Sequence, residues 1–181
     1  MNIYCSPRSG QSGREAVYAL LEYAVNAEYG IALPRIEKTH NGKPYFPDMP
    51  EIHFSLSHAA THVLCAVARL PVGADIESPR TVSERAIKYY CSSEELALFD
   101  PLDLWVLKES HVKLVGGTLA LIKHIRFSRT DYRIIAPDEN ETSKLYHIEC
   151  CRAAISTYGD HPPDSITMVP TPSTPPSLLG A

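Results

Sequence analysis

Apolar positions Ala16, Leu20, Leu21, Ala24 and Val25 recur at helical spacing behind Ser12-Gly13-Arg14-Glu15, the order of a capping box, and Gly30 is placed to stop that helix. Asn41-Gly42-Lys43-Pro44 then reads as a turn between two short extended pieces. His53 to Ser57 alternates weakly, and Val63 to Ala68 is a continuous apolar run of strand length; together they predict a buried hairpin. Val72 to Glu77 reads as a strand that ends in acidic residues. Thr81-Val82-Ser83-Glu84 and Ser92-Ser93-Glu94-Glu95 both have the capping-box order, so two short helices are expected. The clearest helix follows, with Asp100 as its cap, Pro101 in its first turn and Gly116-Gly117 as its stop. Beyond it, strands are expected around Lys123–Ser128, Tyr132–Ala136, Leu145–Cys151 and Ala153–Thr157.

This order is α-β followed by β-α-β, with a seam near Leu70-Pro71 and no internal sequence repeat. It divides the chain into an N-terminal half at 1–70, a C-terminal half at 71–160 and a tail at 161–181. Six of the fifteen prolines lie from Pro162 onward, so the tail is expected to be extended and disordered at its end.

Composition narrows the function more than the fold. A formal net charge of -4 argues against a nucleic-acid binder held by phosphate neutralisation, yet leaves room for a local basic pocket. Five cysteines without a CxxC pair suit free thiols in a reducing cytoplasm. The opening Met1 to Gly13 lacks signal-peptide character, and no apolar run is long enough to cross a bilayer, so no membrane role is expected.

The chemistry-bearing residues lie in the middle of the chain. Asp75 and Glu77 are two apart on a predicted strand, so both carboxylates project from one face while Ile76 points into the core. Like charges that close repel unless a cation joins them, and Mg²⁺ is the natural oxygen-seeking partner. A solvated strand end is the ordinary reading of an isolated Asp-x-Glu, and the pair alone favours it over a metal. On the long helix, Trp105, Glu109 and Lys113 follow at i, i+4 and i+8 and line one stripe. Glu109 and Lys113 could be an exposed ion pair. Trp105, the single tryptophan, argues instead for a cleft, where the carboxylate places a metal or takes a proton and the lysine neutralises phosphate. Ser57 and His58 sit at a strand end without a Gly-x-Ser-x-Gly elbow, so phosphate contact or a simple strand cap suits them better than a hydrolytic pair.

Three blocks, taken jointly and in order, carry a resemblance: Gly42-Lys43-Pro44 leading to Phe54-Ser55-Leu56-Ser57-His58; Val72-Gly73-Ala74-Asp75-Ile76-Glu77; and Trp105 through Lys113. The chain resembles the 4'-phosphopantetheinyl transferases of the surfactin-synthetase-activating (Sfp) type, from about Ile36 to Ile125 and more weakly through Asp164–Val169. The resemblance implies an α+β pseudo-dimer of two similar α/β halves with the active site between them, complete in a monomer. It implies Mg²⁺ held by Asp75, Glu77 and Glu109, and coenzyme A as substrate. Ser57 and His58 would bind coenzyme A phosphates, Lys43 would lie near the nucleotide, Lys113 would contact phosphate at the reacting centre, and Lys108 would contact phosphate or support the helix. Glu109 is the candidate base. Basic residues of the N-terminal half hold the coenzyme A 3'-phosphate in this family; here only Arg8 and Arg14 precede Arg35, and Arg14, otherwise a surface arginine, is the better candidate. The macromolecular partner implied is an acyl or peptidyl carrier protein. Gly116 to Lys123 is a possible docking surface for it, with a core strand as the expected alternative. A shortened relative that binds coenzyme A or a carrier without transfer, and a metal-dependent hydrolase of nucleotide diphosphates, are the competing readings.

Overall fold

A computed structural model describes residues 1–131 and 133–171. In chain order the elements are β1 (Asn2–Pro7), α1 (Gly13–Tyr29), β2 (Glu37–Lys38), β3 (Pro44–Tyr45), β4 (His53–His58), β5 (His62–Ala68), β6 (Val72–Glu77), α2 (Glu84–Tyr90), α3 (Ser93–Leu96) and α4 (Pro101–Val115). A 3₁₀ turn at Leu119–Leu121 leads to β7 (Ser128–Thr130), β8 (Arg133–Ile135), β9 (Glu141–Ile148), β10 (Cys151–Tyr158) and β11 (Thr167–Met168).

The chain is α+β. One sheet has the order β11-β1-β5-β4, and a second has the order β6-β10-β9. In the first, β5 runs antiparallel to both β1 and β4, and β11 closes the edge parallel to β1. In the second, β10 is central and antiparallel to both neighbours. Ile3, Cys5, Leu64 and Ala66 of the first sheet share one core with Val72, Ala74, Ile76 and Ile155 of the second. The opposite face of the first sheet, with Val63, Cys65 and Val67, is covered by Leu20, Leu21 and Val25 of α1. The opposite face of the second is covered by α4 through Leu104 and Leu107.

Local signals account for most element boundaries. Ser12 and Glu15 form the reciprocal capping box at α1, Ser92 and Glu95 form another at α3, and Asp100 caps α4 by accepting from the Leu102 amide. Gly30 and Gly116 close α1 and α4 in the left-handed conformation.

Three expectations are corrected. At α2 the cap is Ser83, whose hydroxyl accepts from the Ala86 amide, and not Thr81. The strand expected over Lys123–Ser128 begins only at Ser128, the first residue of β7: Ile125 and Phe127 alternate into the core beneath α4, but the segment before Ser128 joins no strand ladder among the described residues. Gly116 to Lys123 forms a 3₁₀ turn in place of a core strand, with Leu119 52% exposed. Of the strand expected over Tyr132–Ala136, β8 covers Arg133–Ile135, and Tyr132 lies outside the described residues, as does the end of the tail expected to be disordered, 172–181. Among the described residues no helix is long and apolar enough to cross a membrane.

Candidate metal and phosphate site

Strand parity builds the floor of the site. Val72, Ala74 and Ile76 turn into the core shared by the sheets, which leaves Gly73, Asp75 and Glu77 on the face beneath α4. Gly73 is required by closeness. A Cβ there would lie 1.9 Å from the Ser110 carbonyl oxygen and 2.4 Å from the Leu114 nitrogen, so only a hydrogen lets helix backbone rest on strand backbone. That contact sets the depth at which Glu109 and Lys113 meet the strand.

One carboxylate oxygen each from Asp75, Glu77 and Glu109 lies within 4.8 Å of the others. Asp75 is 3% exposed; its Oδ1 accepts from Lys113 Nζ at 2.7 Å and from Ser57 Oγ at 2.7 Å, while its Oδ2 is buried without a partner. Lys113 also donates to the Ala74 carbonyl at 3.1 Å. Glu77 Oε1 accepts from Trp105 Nε1 at 3.0 Å, and Arg80 pairs with the same oxygen at 3.4 Å while its guanidinium stacks over the Trp105 ring. Burial pushes the Glu109 carboxyl up to about 7, with Asp75 and Glu77 adding to the rise and Lys113 and Arg80 opposing it. An orphaned buried carboxylate oxygen, two further carboxylates in reach and a carboxyl held near neutrality by its neighbours fit a hard divalent cation with oxygen ligands.

The other expected site residues divide. His58 is exposed at the end of β4, and its ring lies against the start of α1: a Cβ on Gly13 would meet the imidazole at 2.8 Å. Arg14 is exposed in that same first turn. Arg8 is spent on backbone, with its guanidinium donating to the carbonyls of Ala59 and Gln11. Lys43 donates to the Leu114 carbonyl at 2.8 Å and the Val72 carbonyl at 3.4 Å, so it ties the β2–β3 hairpin to the last turn of α4, and burial pulls its pKa down to about 8. Lys43 and Lys113 line one small cavity of about 210 Å³ with Gly42, Leu56, Val112 and Gly116.

Two phosphate assignments do not match the geometry. The Ser57 hydroxyl accepts from the Ile76 amide at 3.3 Å and gives its single proton to Asp75, which leaves none for phosphate. The Lys108 ammonium has no exposed surface; it is paired with Glu95 at 2.9 Å and donates to the Tyr90 carbonyl, so of its two expected roles the structure places it in the support of the helix. Arg80 was missed, since no motif surrounds it and its contacts arise only when the loop after β6 folds back onto Trp105. The Ser57–Asp75 bond was missed because it joins two sheets; its one local trace is that Ser55 and Ser57 share a strand face.

No model of a known protein family matches the chain. Among curated proteins it is 34% identical over 97 residues to the 4'-phosphopantetheinyl transferase Sfp of Bacillus subtilis (strain 168), an alignment covering 48% of this chain and 43% of that protein. It is 31% identical over 109 residues to the 4'-phosphopantetheinyl transferase psf-1 of Bacillus pumilus, covering 54% and 47%, and 32% identical over 89 residues to gsp of Aneurinibacillus migulanus, covering 44% and 37%. The aligned part spans less than half the length of each of these relatives.

Proposed function

We propose that this chain, a relative of the Sfp-type proteins, moves the 4'-phosphopantetheine arm of coenzyme A onto a serine of an acyl or peptidyl carrier protein, releasing 3',5'-ADP. The observation that carries the reading is the convergence of Asp75, Glu77 and Glu109 beside Lys113, with Asp75 Oδ2 buried and unpaired. Asp75, Glu77 and Glu109 would hold a divalent cation, Mg²⁺ by its preference for oxygen, and when bound it would supply charge neutralisation for the diphosphate.

The chain's own groups account for the rest. The carrier serine oxygen forms a bond to the phosphorus bearing the pantetheine, and the bond from that phosphorus to the bridging oxygen of 3',5'-ADP breaks. Glu109 takes the serine proton, directly or through a bound water, since its carboxylate faces the space shared with Asp75 and Glu77. Lys113, already at the carboxylates, neutralises charge on the reacting phosphoryl oxygens. The cavity between Lys43 and Lys113 receives part of the nucleotide moiety. His58 and Arg14, together with the amides of the first turn of α1, hold outer phosphates. In this reading the first sheet with α1 and the second sheet with α4 are the two halves, the reaction runs at their boundary, and a monomer in the cytoplasm suffices.

Carrier docking belongs to the groove beside Trp105. Tyr89, Trp105, Leu119 and Ile122 line it with Arg85 and Lys88, in a volume of about 890 Å³. An apolar floor with a basic rim suits a carrier that is acidic around its serine.

The test is a mass-shift assay. Mixed with coenzyme A, Mg²⁺ and two or three carrier types, the protein is expected to add the phosphopantetheine mass to at least one. Glu109→Gln and Asp75→Ala are expected to abolish the gain. Coenzyme A binding without mass transfer to any carrier would reassign the chain as a binding protein, and 3',5'-ADP release without a carrier would make it a hydrolase.

A further inference from the structure

β4 and β6 lie in different sheets and share no backbone ladder, yet two serines on one face of β4 reach across to β6. Ser55 Oγ accepts from the Ala74 amide at 2.9 Å, and Ser57 Oγ accepts from the Ile76 amide at 3.3 Å. The two hydroxyls thus do the same structural work, each satisfying one buried amide of β6. Only Ser57 does more, since its proton goes to Asp75 Oδ1 at 2.7 Å. Lys113 Nζ lands on that same oxygen at 2.7 Å, so both donors converge on Oδ1 and none reaches Oδ2.

We propose that Ser57 is a positioning residue of the cation site. By holding Oδ1 against β4, it fixes the rotation of the Asp75 carboxylate within the cluster it forms with Glu77 and Glu109, and leaves Oδ2 free of protein donors. The Ile76 amide in turn fixes the Ser57 hydroxyl, so the direction of the ligand oxygen is set by the join between the two sheets. This inference rests on the reading of that space as a divalent-cation site. Outer hydrogen bonds to metal-ligating carboxylates typically govern about ten- to a hundred-fold in metal affinity.

The experiment titrates Mn²⁺ into the full chain without coenzyme A or carrier, following free Mn²⁺ by electron paramagnetic resonance. Wild type is expected to bind one ion, and Ser57→Ala to bind about ten- to a hundred-fold more weakly. Ser55→Ala is the matched control: it orphans a β6 amide as Ser57→Ala does but touches no carboxylate, and its affinity is expected to stay within about two-fold of wild type. If Ser57→Ala does not fold, Ser57→Cys replaces it, close in shape and a weak donor, with weakening again expected. Wild-type affinity in the Ser57 variant, or an equal loss in Ser55→Ala, overturns the positioning role while leaving the cation site standing. Absence of Mn²⁺ binding by wild type overturns the site itself, and the inference with it.

Discussion

Glu109 carries opposite demands in the presence and absence of a counter-ion. Burial and the charge of Asp75 hold its carboxyl near 7 in the folded chain, against 4.5 for a free glutamate. A raised carboxyl stabilises the fold fully below the unfolded value, and that contribution is lost as pH rises through the folded one. Over pH 4.5 to 8 the cation-free protein should therefore lose up to about 3 kcal/mol from this group. Glu109→Gln removes the titration, so its stability relative to wild type, measured by urea unfolding in a chelating buffer, should rise across that window. Added Mg²⁺ should stabilise wild type at pH 8 and leave the variant unmoved; parallel pH profiles for the two proteins would refute the charge crowding. The residues of this cluster were legible in the sequence because their geometry is local: two-residue parity on a strand for Asp75 and Glu77, and four-residue spacing on a helix for Glu109 and Lys113. Ser57 and Lys43 were legible as residues of the site but their contacts were not, because a side chain that answers to a neighbouring sheet or to a helix end far along the chain gives its partner no periodic trace.

Two features fix where α4 lies, and they fail differently. Gly73 governs its approach to β6: Gly73→Ala would drive a methyl into the Ser110 carbonyl, and the helix can back away only by loosening the core packing of its own Val106 and Leu107. The expected cost is on the order of 3 kcal/mol or more, the range of strained or overpacked core changes, read as a lower urea midpoint. Lys108 fixes the helix from its other side. Glu95 caps α3 by accepting from the Ser92 amide, accepts from the Phe127 amide, and is paired with Lys108. Lys108→Met would strand that buried carboxylate, and about 3–5 kcal/mol of stability should go with it. A lysine serving phosphate would behave in the reverse way, with unfolding unchanged and coenzyme A binding lost. Elements were the most legible scale, since Ser12, Ser92, Asp100, Gly30 and Gly116 mark helix ends by capping chemistry that acts over three or four residues. The segment after Gly117 was misread because Ile125 and Phe127 alternate into the core as strand residues would, while the backbone that carries them joins no ladder among the described residues.

At the scale of the whole molecule, the reactive cluster and the apolar groove share a wall. Trp105 donates to Glu77 on one side and lines the groove with Tyr89 and Leu119 on the other. A carrier seated there would have its serine delivered toward Glu109, one helical turn further along α4. Leu119 stands 52% exposed on a turn that the core does not require, whereas Ile122, on the same segment, is buried and structural. Leu119→Asp should therefore leave unfolding and coenzyme A binding close to wild type. It adds an unfavourable charge where an acidic partner would dock, so the KM for the carrier should rise about ten-fold or more, with kcat at saturating carrier nearly unchanged. Arg85→Glu, at the basic rim, should weaken the same step mainly through the association rate, and this loss should shrink as salt is raised because the rim charge is screened. Steady-state kinetics at several carrier and salt concentrations separate these outcomes. If Leu119→Asp lowers kcat with KM fixed, the groove belongs to the chemistry; if it changes neither, the carrier approaches from another face and Trp105 serves the acidic cluster alone.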